Sequence, residues 1–299
     1  MTSMTPSDSS PVGFLDERYV LGALIGEGAV GCVYAAFDII LGIDVAVKVM
    51  HEVHAQSRSM VERFSHEATI SARMLSPHVV KVLGLAVTRT GAPCIVYERL
   101  EGETLASFIA RRGTLSLAET NEIVKQTARA LARVHALGIV HRDVKPDNIF
   151  ITTQPDGHAL IKLLDFGIAE SIKSGKARSQ VVGTPEYIAP EVFFGTEALD
   201  ARVDVYALGV VAFECLTGCC PFTGERIGDI FAAVQCGARA SLSDLRSDVT
   251  AEIDAWVDSA LHSDPYWRFS SAKELSSALE RATTAIAQRT ARVSIRRAA

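Results

Sequence analysis

The chain has 299 residues, of which 48% are hydrophobic, so it is long enough to bury a large core. This composition excludes disorder for most of the sequence. The formal net charge of -5 gives no overall basic field, and the bulk numbers therefore do not favour nucleic acid as a partner. Residues 1–13 lack the apolar core of an export signal, and no uncharged apolar run reaches the length of a membrane span. We therefore expect a cytoplasmic protein, or a cytoplasmic domain of a longer one.

Short strand patterns dominate the first hundred residues. Residues 1–15 are rich in Ser, Thr and Pro and predict a flexible leader. Five runs rich in β-branched and aromatic residues then predict strands, and apolar residues spaced three and four apart predict one helix. The predicted strands are 19–25, 32–37, 44–50, 79–87 and 93–98, and the predicted helix is 60–75. This region indicates a five-stranded antiparallel sheet with one helix.

The pattern changes to helical spacing after residue 102. The predicted helices are 123–134, 203–216, 224–236, 251–262 and 272–287. The second of them is apolar on nearly all sides and should be buried. Residues 288–299 are basic and predict a flexible tail. The fold class is therefore α+β and bilobal, with a small β-rich lobe at about 16–98, a larger α-helical lobe at about 103–287, and a ligand cleft between them.

Residues 141–148 read HRDVKPDN and concentrate charged and amide side chains in one loop. Phosphoryl transfer requires an oriented acceptor hydroxyl, a triphosphate held in line, and a metal that neutralises negative charge. Asp143 can orient and accept, while Asn148 and Asp165, the first residue of an Asp-Phe-Gly sequence, can hold Mg²⁺. A solvated acidic loop would not require this order of residues.

Residues 26–33 read GEGAVGCV and lie between two predicted strands. Glycines there let backbone N–H groups close over phosphates, although a plain hairpin turn is the alternative. A dinucleotide-binding fold is disfavoured because strand residues, and not a helix, follow the loop. Lys48 ends the next strand, and Glu67 lies on the apolar face of the predicted helix, where an unpaired acid is costly. We expect these two residues to form an ion pair.

With these motifs the chain resembles a eukaryotic-type protein kinase, and most closely the bacterial serine/threonine kinases, from about Tyr19 to Ala287. The resemblance implies transfer of the γ-phosphoryl group of ATP to protein Ser/Thr acceptors, including autophosphorylation, in signalling. It implies Mg²⁺ as the metal, with Mn²⁺ as a substitute. Lys145 and the segment from Gly183 to Glu191 are similar to those of the serine/threonine class.

The resemblance also implies roles for single residues. Asp143 would be the catalytic base, Lys145 and Lys48 would contact phosphates, and Glu67 would position Lys48. Asn148 and Asp165 would be the metal ligands, and Tyr97 would be the gatekeeper beside the adenine. The nucleotide would be bound by Ile25, Gly26, Glu27, Gly28, Ala29, Val30, Gly31, Cys32, Val33, Ala46, Lys48, Glu98, Leu100, Asn148, Phe150 and Asp165. Within this set the Glu98 carbonyl and the Leu100 amide would meet the adenine edge, and Ala46 and Phe150 its faces.

Structural and regulatory roles follow from the same resemblance. Glu191 would pair with Arg268, Asp204 would support the backbone of the 141–148 loop, and Thr184 would hydrogen-bond near Asp143. Arg142 leaves a positive charge that a phosphate on the later loop could satisfy. The usual phosphorylated Thr is replaced by Gln180, so the candidate phosphorylation sites are Ser179, then Ser174 and Ser171. Activity that does not depend on phosphorylation of this loop is the alternative.

The sequence disfavours two other functions. A pseudokinase scaffold is disfavoured because every catalytic position is filled, and a small-molecule phosphotransferase is disfavoured by the segment 183–191. The six cysteines and the histidines show no metal-binding spacing, so the sequence predicts packed, reduced thiols and no zinc site. A homodimer through the small lobes is left open by the sequence.

Overall fold

The computed structural model describes residues 14–165, 170–171, 184–193 and 200–298. The chain forms two compact units. The first takes the chain up to Leu75 together with Val80–Glu101, and the second takes Ser76–Val79 and the chain from Gly102 onward.

The first unit is built on one antiparallel sheet. Its strands are β1 (Phe14–Leu15), β2 (Tyr19–Glu27), β3 (Gly31–Asp38), β4 (Ile43–Met50), β5 (Val82–Val87) and β6 (Pro93–Glu98), and its helices are α1 (Glu52–Ala55) and α2 (Arg58–Arg73). The strand order is β1-β2-β3-β4-β6-β5. The five predicted strands are confirmed, although β5 begins at Val82 and not at residue 79. Residues 14–15, which the sequence assigned to a flexible leader, pair with β2 as an additional edge strand, and the remainder of that leader lies outside the described residues.

Alternation along β4 separates a valine-rich core face from the face that carries Lys48. Val45 and Val47 are fully buried and pack in a cluster with Val96 of β6. Because successive strand residues point to opposite faces of a sheet, Lys48 lies on the face opposite these valines. The sheet thereby presents the Lys48 ammonium to α2.

The second unit is mainly helical. Its helices are α3 (Leu105–Arg112), α4 (Leu117–Ala136), α5 (Pro190–Phe193), α6 (Arg202–Thr217), α7 (Ile227–Cys236), α8 (Leu242–Leu245), α9 (Ala251–Ala260) and α10 (Ala272–Ala298). Its strands are β7 (Gly102–Thr104), β8 (Ile139–Val140), β9 (Ile149–Thr153), β10 (Ala159–Leu163) and β11 (Glu170–Ser171). The order β10-β9-β7 forms one small sheet, and β11 pairs with β8 in another. The predicted α+β fold class is confirmed.

Helix α6 is the centre of the second unit. Residues from Val203 to Leu216 are buried with the exception of Glu214, as its apolar composition predicts. A Cβ atom on Gly209 would lie 2.9 Å from the Cβ of Ala260, so glycine permits the close approach of α6 to α9. The helix ends at Gly218, whose φ of 79° is in the left-handed region that favours glycine.

Helix α10 differs from its prediction. The sequence placed its end at Ala287 and a flexible tail at 288–299, whereas the backbone is helical to Ala298. The segment contains neither Gly nor Pro and is rich in Ala and Arg, which favour a helix. Among the described helices, none combines the length and the apolar character that crossing a membrane requires.

Candidate active site

The glycine-rich segment is a turn between β2 and β3. The N–H of Gly28 donates to the carbonyl of Gly31 at 3.0 Å, and Gly26 pairs with Val33 across the strands. A strand therefore follows the turn, as the sequence predicted. At Gly31 a Cβ atom would lie 2.2 Å from the carbonyl oxygen of Val49, so only glycine fits there.

Lys48 and Glu67 form the predicted ion pair. The ammonium nitrogen lies 2.9 Å from Oε1 and 3.1 Å from Oε2 of the carboxylate. Only 2% of the Glu67 side chain and 12% of the Lys48 side chain are exposed. The Phe64 ring centroid is 5.8 Å from the ammonium, which adds a cation–π contact. Because an unpaired carboxylate at this depth would be costly, the pair fixes the position of the Lys48 ammonium.

Tyr97, the gatekeeper candidate, is a third member of this cluster, and its contact with Glu67 was not predicted from the sequence. Its hydroxyl donates to Glu67 Oε1 at 2.6 Å, and only 8% of the residue is exposed. The strand register sets Tyr97 opposite Ala46 in β4, two positions from Lys48. A tyrosine in an apolar strand predicts a buried hydroxyl that needs a hydrogen-bond partner, but the sequence does not identify that partner. The gatekeeper candidate is therefore bonded to the residue that holds Lys48.

The other nucleotide-binding candidates of the first unit lie at strand positions. Ala46 is in β4, Ile25 is in β2 with 43% exposure, and Glu98 is the last residue of β6. The N–H of Glu98 donates to the carbonyl of Lys81, and the Glu98 carboxylate accepts from the N–H of Lys81. Leu100 follows in a segment without regular structure. These contacts fix the backbone around Glu98.

In the second unit, Asp143, Lys145 and Asn148 meet in the loop between β8 and β9. Asn148 Nδ2 donates to the Asp143 carbonyl at 2.8 Å and to its Oδ2 at 2.7 Å. Lys145 Nζ lies 3.0 Å from the same Oδ2. The three side chains are largely shielded, with 13% exposure at Asp143 and 18% at Lys145. The loop thus brings together the three side chains that the sequence selected as candidate base, candidate phosphate-binding cation and candidate metal ligand.

Asp204, in the first turn of α6, holds the backbone of this loop. Its Oδ2 accepts from the N–H of His141 and its Oδ1 from the N–H of Arg142, each at 2.8 Å. Its Oδ2 also lies 2.7 Å from Nε2 of His135. Burial alone would raise the pKa of Asp204, but the hydrogen bonds from His135 and His141 hold that pKa below its usual value. The expected support of the loop by Asp204 is therefore present, with His135 as a partner that the sequence did not indicate.

The loop contains a strained residue that these bonds restrain. Arg142 has a φ of 67°, in the left-handed region that costs a non-glycine residue about 1–2 kcal/mol. Its N–H is one of the two held by Asp204. The strain is therefore offset by hydrogen bonds to a buried carboxylate.

His141 connects the loop to the segment that carries Asp165. Its Nε2 lies 3.1 Å from the carbonyl of Leu164, and its Nδ1 accepts from the N–H of Asp143 at 3.3 Å. The N–H of Leu164 in turn donates to the carbonyl of Asn148 at 2.8 Å. Asp165 is the next residue, with a φ of 49°. The two candidate metal ligands, Asn148 and Asp165, are thus on adjacent and cross-linked backbone segments.

The remaining residues that the sequence selected in the second unit are found as follows. Phe150 is in β9, where it pairs with Thr104 of β7. Arg268 and Glu191 form the expected pair through two bonds of 2.7 Å. No described contact joins Thr184 to Asp143. The remaining predicted positions, Phe166, Gly167, the Ser171 side chain, Ser174, Ser179, Gln180 and Gly183, lie outside the described residues.

Beside the Glu191 pair, Tyr187 is anchored to α6. Its hydroxyl donates to Glu214 Oε2 at 2.6 Å. Burial raises the pKa of both Tyr187 and Glu214. The 3₁₀ turn that contains Tyr187 is therefore fixed to the central helix of its unit.

Comparison with known proteins gives one family over most of the chain. The model of the protein kinase domain matches residues 19–279. This range includes the glycine-rich turn, the Lys48 cluster and the loop between β8 and β9.

Curated relatives agree with that match. A probable serine/threonine-protein kinase of Corynebacterium efficiens is 36% identical over 290 residues, which cover 93% of this chain and 43% of the relative. The serine/threonine-protein kinase PknB of Mycolicibacterium smegmatis is 38% identical over 270 residues, covering 87% of this chain and 42% of the relative. PknB of Mycobacterium tuberculosis is 37% identical over 276 residues, covering 89% and 43%. The chain spans less than half the length of these relatives.

Proposed function

Because the chain belongs to the protein kinase family, we propose that it transfers the γ-phosphoryl group of ATP to serine and threonine hydroxyls of proteins, its own among them. The observation that carries this proposal is the convergence of Asp143, Lys145 and Asn148 within one loop braced by Asp204. Phosphoryl transfer depends on positioning and on charge stabilisation, and a braced loop with these three groups supplies both.

Asp143 is the proposed base. Its contacts with Lys145 and Asn148 both use Oδ2, and Oδ1 has no hydrogen bond among the described residues. Oδ1 can therefore accept the hydrogen bond of an acceptor hydroxyl and take its proton as the oxygen attacks the γ-phosphorus. Lys145, held beside Asp143, brings a positive charge to the phosphoryl group in transfer.

Lys48 is the proposed ligand of the ATP α- and β-phosphates. Glu67 holds its ammonium, and Tyr97 holds Glu67, so the cation is positioned before the nucleotide binds. The glycine-rich turn can approach phosphates with its N–H groups because its glycines carry no side chain. Preorganised charge of this kind costs no reorganisation during the reaction.

Asn148 and Asp165 fit a bound Mg²⁺. Both hydrogen bonds of the Asn148 side chain use Nδ2, which turns the amide oxygen away from Asp143 and leaves it available as a ligand. An amide oxygen and a carboxylate are the oxygen ligands that Mg²⁺ prefers, and Mn²⁺ shares this preference. When bound, the metal neutralises charge on the β- and γ-phosphates.

The test is incubation of the purified protein with labelled ATP and Mg²⁺, with phosphorylated positions identified by mass spectrometry. We expect label on Ser or Thr in the wild type and in a generic protein substrate, and none with Asp143→Asn. Phosphate on Ser179, Ser174 or Ser171 would identify the regulatory position that the sequence predicts. Binding of ATP without phosphoryl transfer, in Mg²⁺ and in Mn²⁺, would refute the proposed kinase activity and favour a scaffold function. A cytoplasmic location remains a prediction from the sequence, which leaves a homodimer open.

A further inference from the structure

Three side chains with metal-binding atoms lie together at the glycine-rich end of the sheet. A carboxylate oxygen of Glu27, the sulfur of Cys32 and a ring nitrogen of His51 all lie within 4.8 Å of one another. Among the described residues no other group of three His, Cys, Asp or Glu side chains meets this distance. The cluster is therefore the one candidate metal centre of this type in the described part of the chain.

The backbone of the sheet brings these residues together. Glu27 in β2 and Cys32 in β3 are direct cross-strand partners, so their side chains share one face. His51 directly follows β4, and its N–H donates to the carbonyl of Val30 at 2.9 Å. Each ligand thus comes from a different strand end, and hydrogen bonds of the backbone set their separation.

Neighbouring groups also hold the cluster. Nε2 of His51 lies 3.0 Å from the carbonyl oxygen of Gly28, which fixes the orientation of the ring. Tyr34 lies two residues after Cys32 in β3 and is therefore on the same face of the sheet as the sulfur. Outer partners of this kind orient the ligands of metal sites and tune them.

We propose that Glu27, Cys32 and His51 form a zinc-binding site. A thiolate, an imidazole and a carboxylate are the ligands that zinc takes in proteins, and three protein ligands leave a fourth position for water. Mg²⁺ and Ca²⁺ are excluded because they require oxygen ligands. Zinc binding converts the Cys32 thiol to a thiolate and releases its proton to solvent.

The geometry allows zinc after a small closure. Zinc bonds of about 2.0–2.3 Å in a tetrahedral site place ligand atoms roughly 3.3–3.8 Å apart. Atoms separated by up to 4.8 Å therefore need to approach by at most about 1.0–1.5 Å. The exposed Glu27 side chain, at the start of a glycine turn, can move by this amount.

The proposed zinc position and the Lys48 ammonium lie on opposite faces of the sheet, although Glu27 and Cys32 also belong to the segment predicted to bind the nucleotide. Val33 is the cross-strand partner of Lys48, so both lie on the same face of the sheet. Cys32 precedes Val33 in the strand and therefore points to the opposite face. Zinc bound there would tie together the two strands flanking the glycine-rich turn and residue 51, and would restrict the turn from the side away from the ammonium. That consequence for catalysis rests on the proposed function, whereas the metal site itself does not.

Metal binding is tested on the untagged protein after treatment with a chelator. Calorimetric titration with Zn²⁺ and optical titration with Co²⁺, which reports a metal–thiolate bond, are made on the wild type and on Cys32→Ser, His51→Asn and Glu27→Gln. We expect the wild type to bind one Zn²⁺ per chain. Each of the three variants should lose more affinity than the roughly 10- to 100-fold that follows the loss of an outer partner, and Cys32→Ser should show no cobalt–thiolate band. The matched controls are Cys236→Ser and His54→Asn. Cys236 is an exposed thiol, and the ring of His54 lies 3.0 Å from the Ala29 carbonyl but outside the cluster. Both should bind as the wild type does.

An alkylation experiment requires no variant and so does not depend on how the substituted proteins fold. Zn²⁺ should protect Cys32 from iodoacetamide, with the exposed Cys219 and Cys236 modified at unchanged rates. Equal protection of all three thiols, or Zn²⁺ affinity unchanged in Cys32→Ser, would overturn the zinc site. Binding confirmed at Cys32 with kinase activity unaltered by Zn²⁺ would retain the site and refute only its effect on the turn. A wild type without activity but with zinc bound would refute the proposed function alone.

Discussion

The substitution Asp204→Asn replaces one of the two carboxylate oxygens under the 141–148 loop with an NH2 group while preserving side-chain volume. The carboxylate accepts three hydrogen bonds of 2.7–2.8 Å. In Asn one carboxylate oxygen becomes an NH2 group, which cannot accept the hydrogen bonds that this oxygen received. A hydrogen bond to a charged group contributes about 1.5–3 kcal/mol, and an unsatisfied buried donor costs about 1–3 kcal/mol. We therefore expect the free energy of unfolding to fall by about 3–5 kcal/mol.

The same change should impair phosphoryl transfer by the molecules that remain folded. With Arg142 no longer held in its left-handed conformation, Asp143 shifts, and a displacement near 1 Å costs on the order of 100-fold in rate. Urea unfolding followed by circular dichroism measures the stability, and kcat is measured well below the unfolding transition. Asp254→Asn is the matched control, because Asp254 also accepts backbone N–H groups, those of Leu242 and Ser243, far along the chain from the loop. It should lose stability and retain kcat.

Acidification provides an internal check. The pKa of Asp204 is lowered in the folded state, so its stabilising contribution is complete above the ordinary value near 3.8 and is lost as pH falls through the lower, folded value. The difference in stability between the wild type and Asp204→Asn should accordingly shrink below about pH 4. A wild-type kcat in Asp204→Asn would refute the positioning argument, and a loss of stability under about 1 kcal/mol would refute the energetic one.

Three further substitutions can be followed by the same urea titration. Tyr97→Phe removes the hydroxyl that donates to Glu67 and should cost about 1–3 kcal/mol, with a higher KM for ATP; unchanged stability and KM would contradict that role. Arg268→Met leaves Glu191 buried without its partner and should lower the free energy of unfolding by about 3–5 kcal/mol. Adding Glu191→Leu removes the unpaired charge and should restore most of this stability. A double variant as unstable as the single one would show that the charge is not the cause. Ser116→Ala breaks the capping box of α4 and should cost about 1 kcal/mol without altering kcat.

Elements with several periods of a clear pattern were predictable, and short ones were not. The strands of the first sheet and the buried helix α6 follow from alternation and from a continuous apolar sequence. β1 has two residues and α1 has four, too few to show a period. Helix α4 begins six residues earlier than its apolar stripe, and the Ser-x-x-Glu capping box at Ser116 is the signal that would have located its start.

The site was predictable where its residues are close in sequence. Asp143, Lys145 and Asn148 lie in one motif, and the burial of an acid on an apolar helix face indicated the partner of Lys48. The contact of Tyr97 with Glu67 depends on how α2 packs against β6, which local pattern does not encode. The cluster of Glu27, Cys32 and His51 was not recognised in the sequence, which predicted no zinc site. Residues that come together from three strand ends show no characteristic spacing along the chain.

The imidazole of His141 has a consequence for experiments in solution. Its two ring nitrogens have opposite roles, since Nδ1 accepts from the N–H of Asp143 and Nε2 faces the carbonyl of Leu164, and this arrangement selects the tautomer with the proton on Nε2. The segments carrying Asp143 and Asp165 cannot separate without breaking one of these bonds. The ¹⁵N resonances of this ring would therefore distinguish an assembled loop from a disassembled one with neither nucleotide nor substrate present. His141 is thus a natural spectroscopic reporter at the centre of the proposed site.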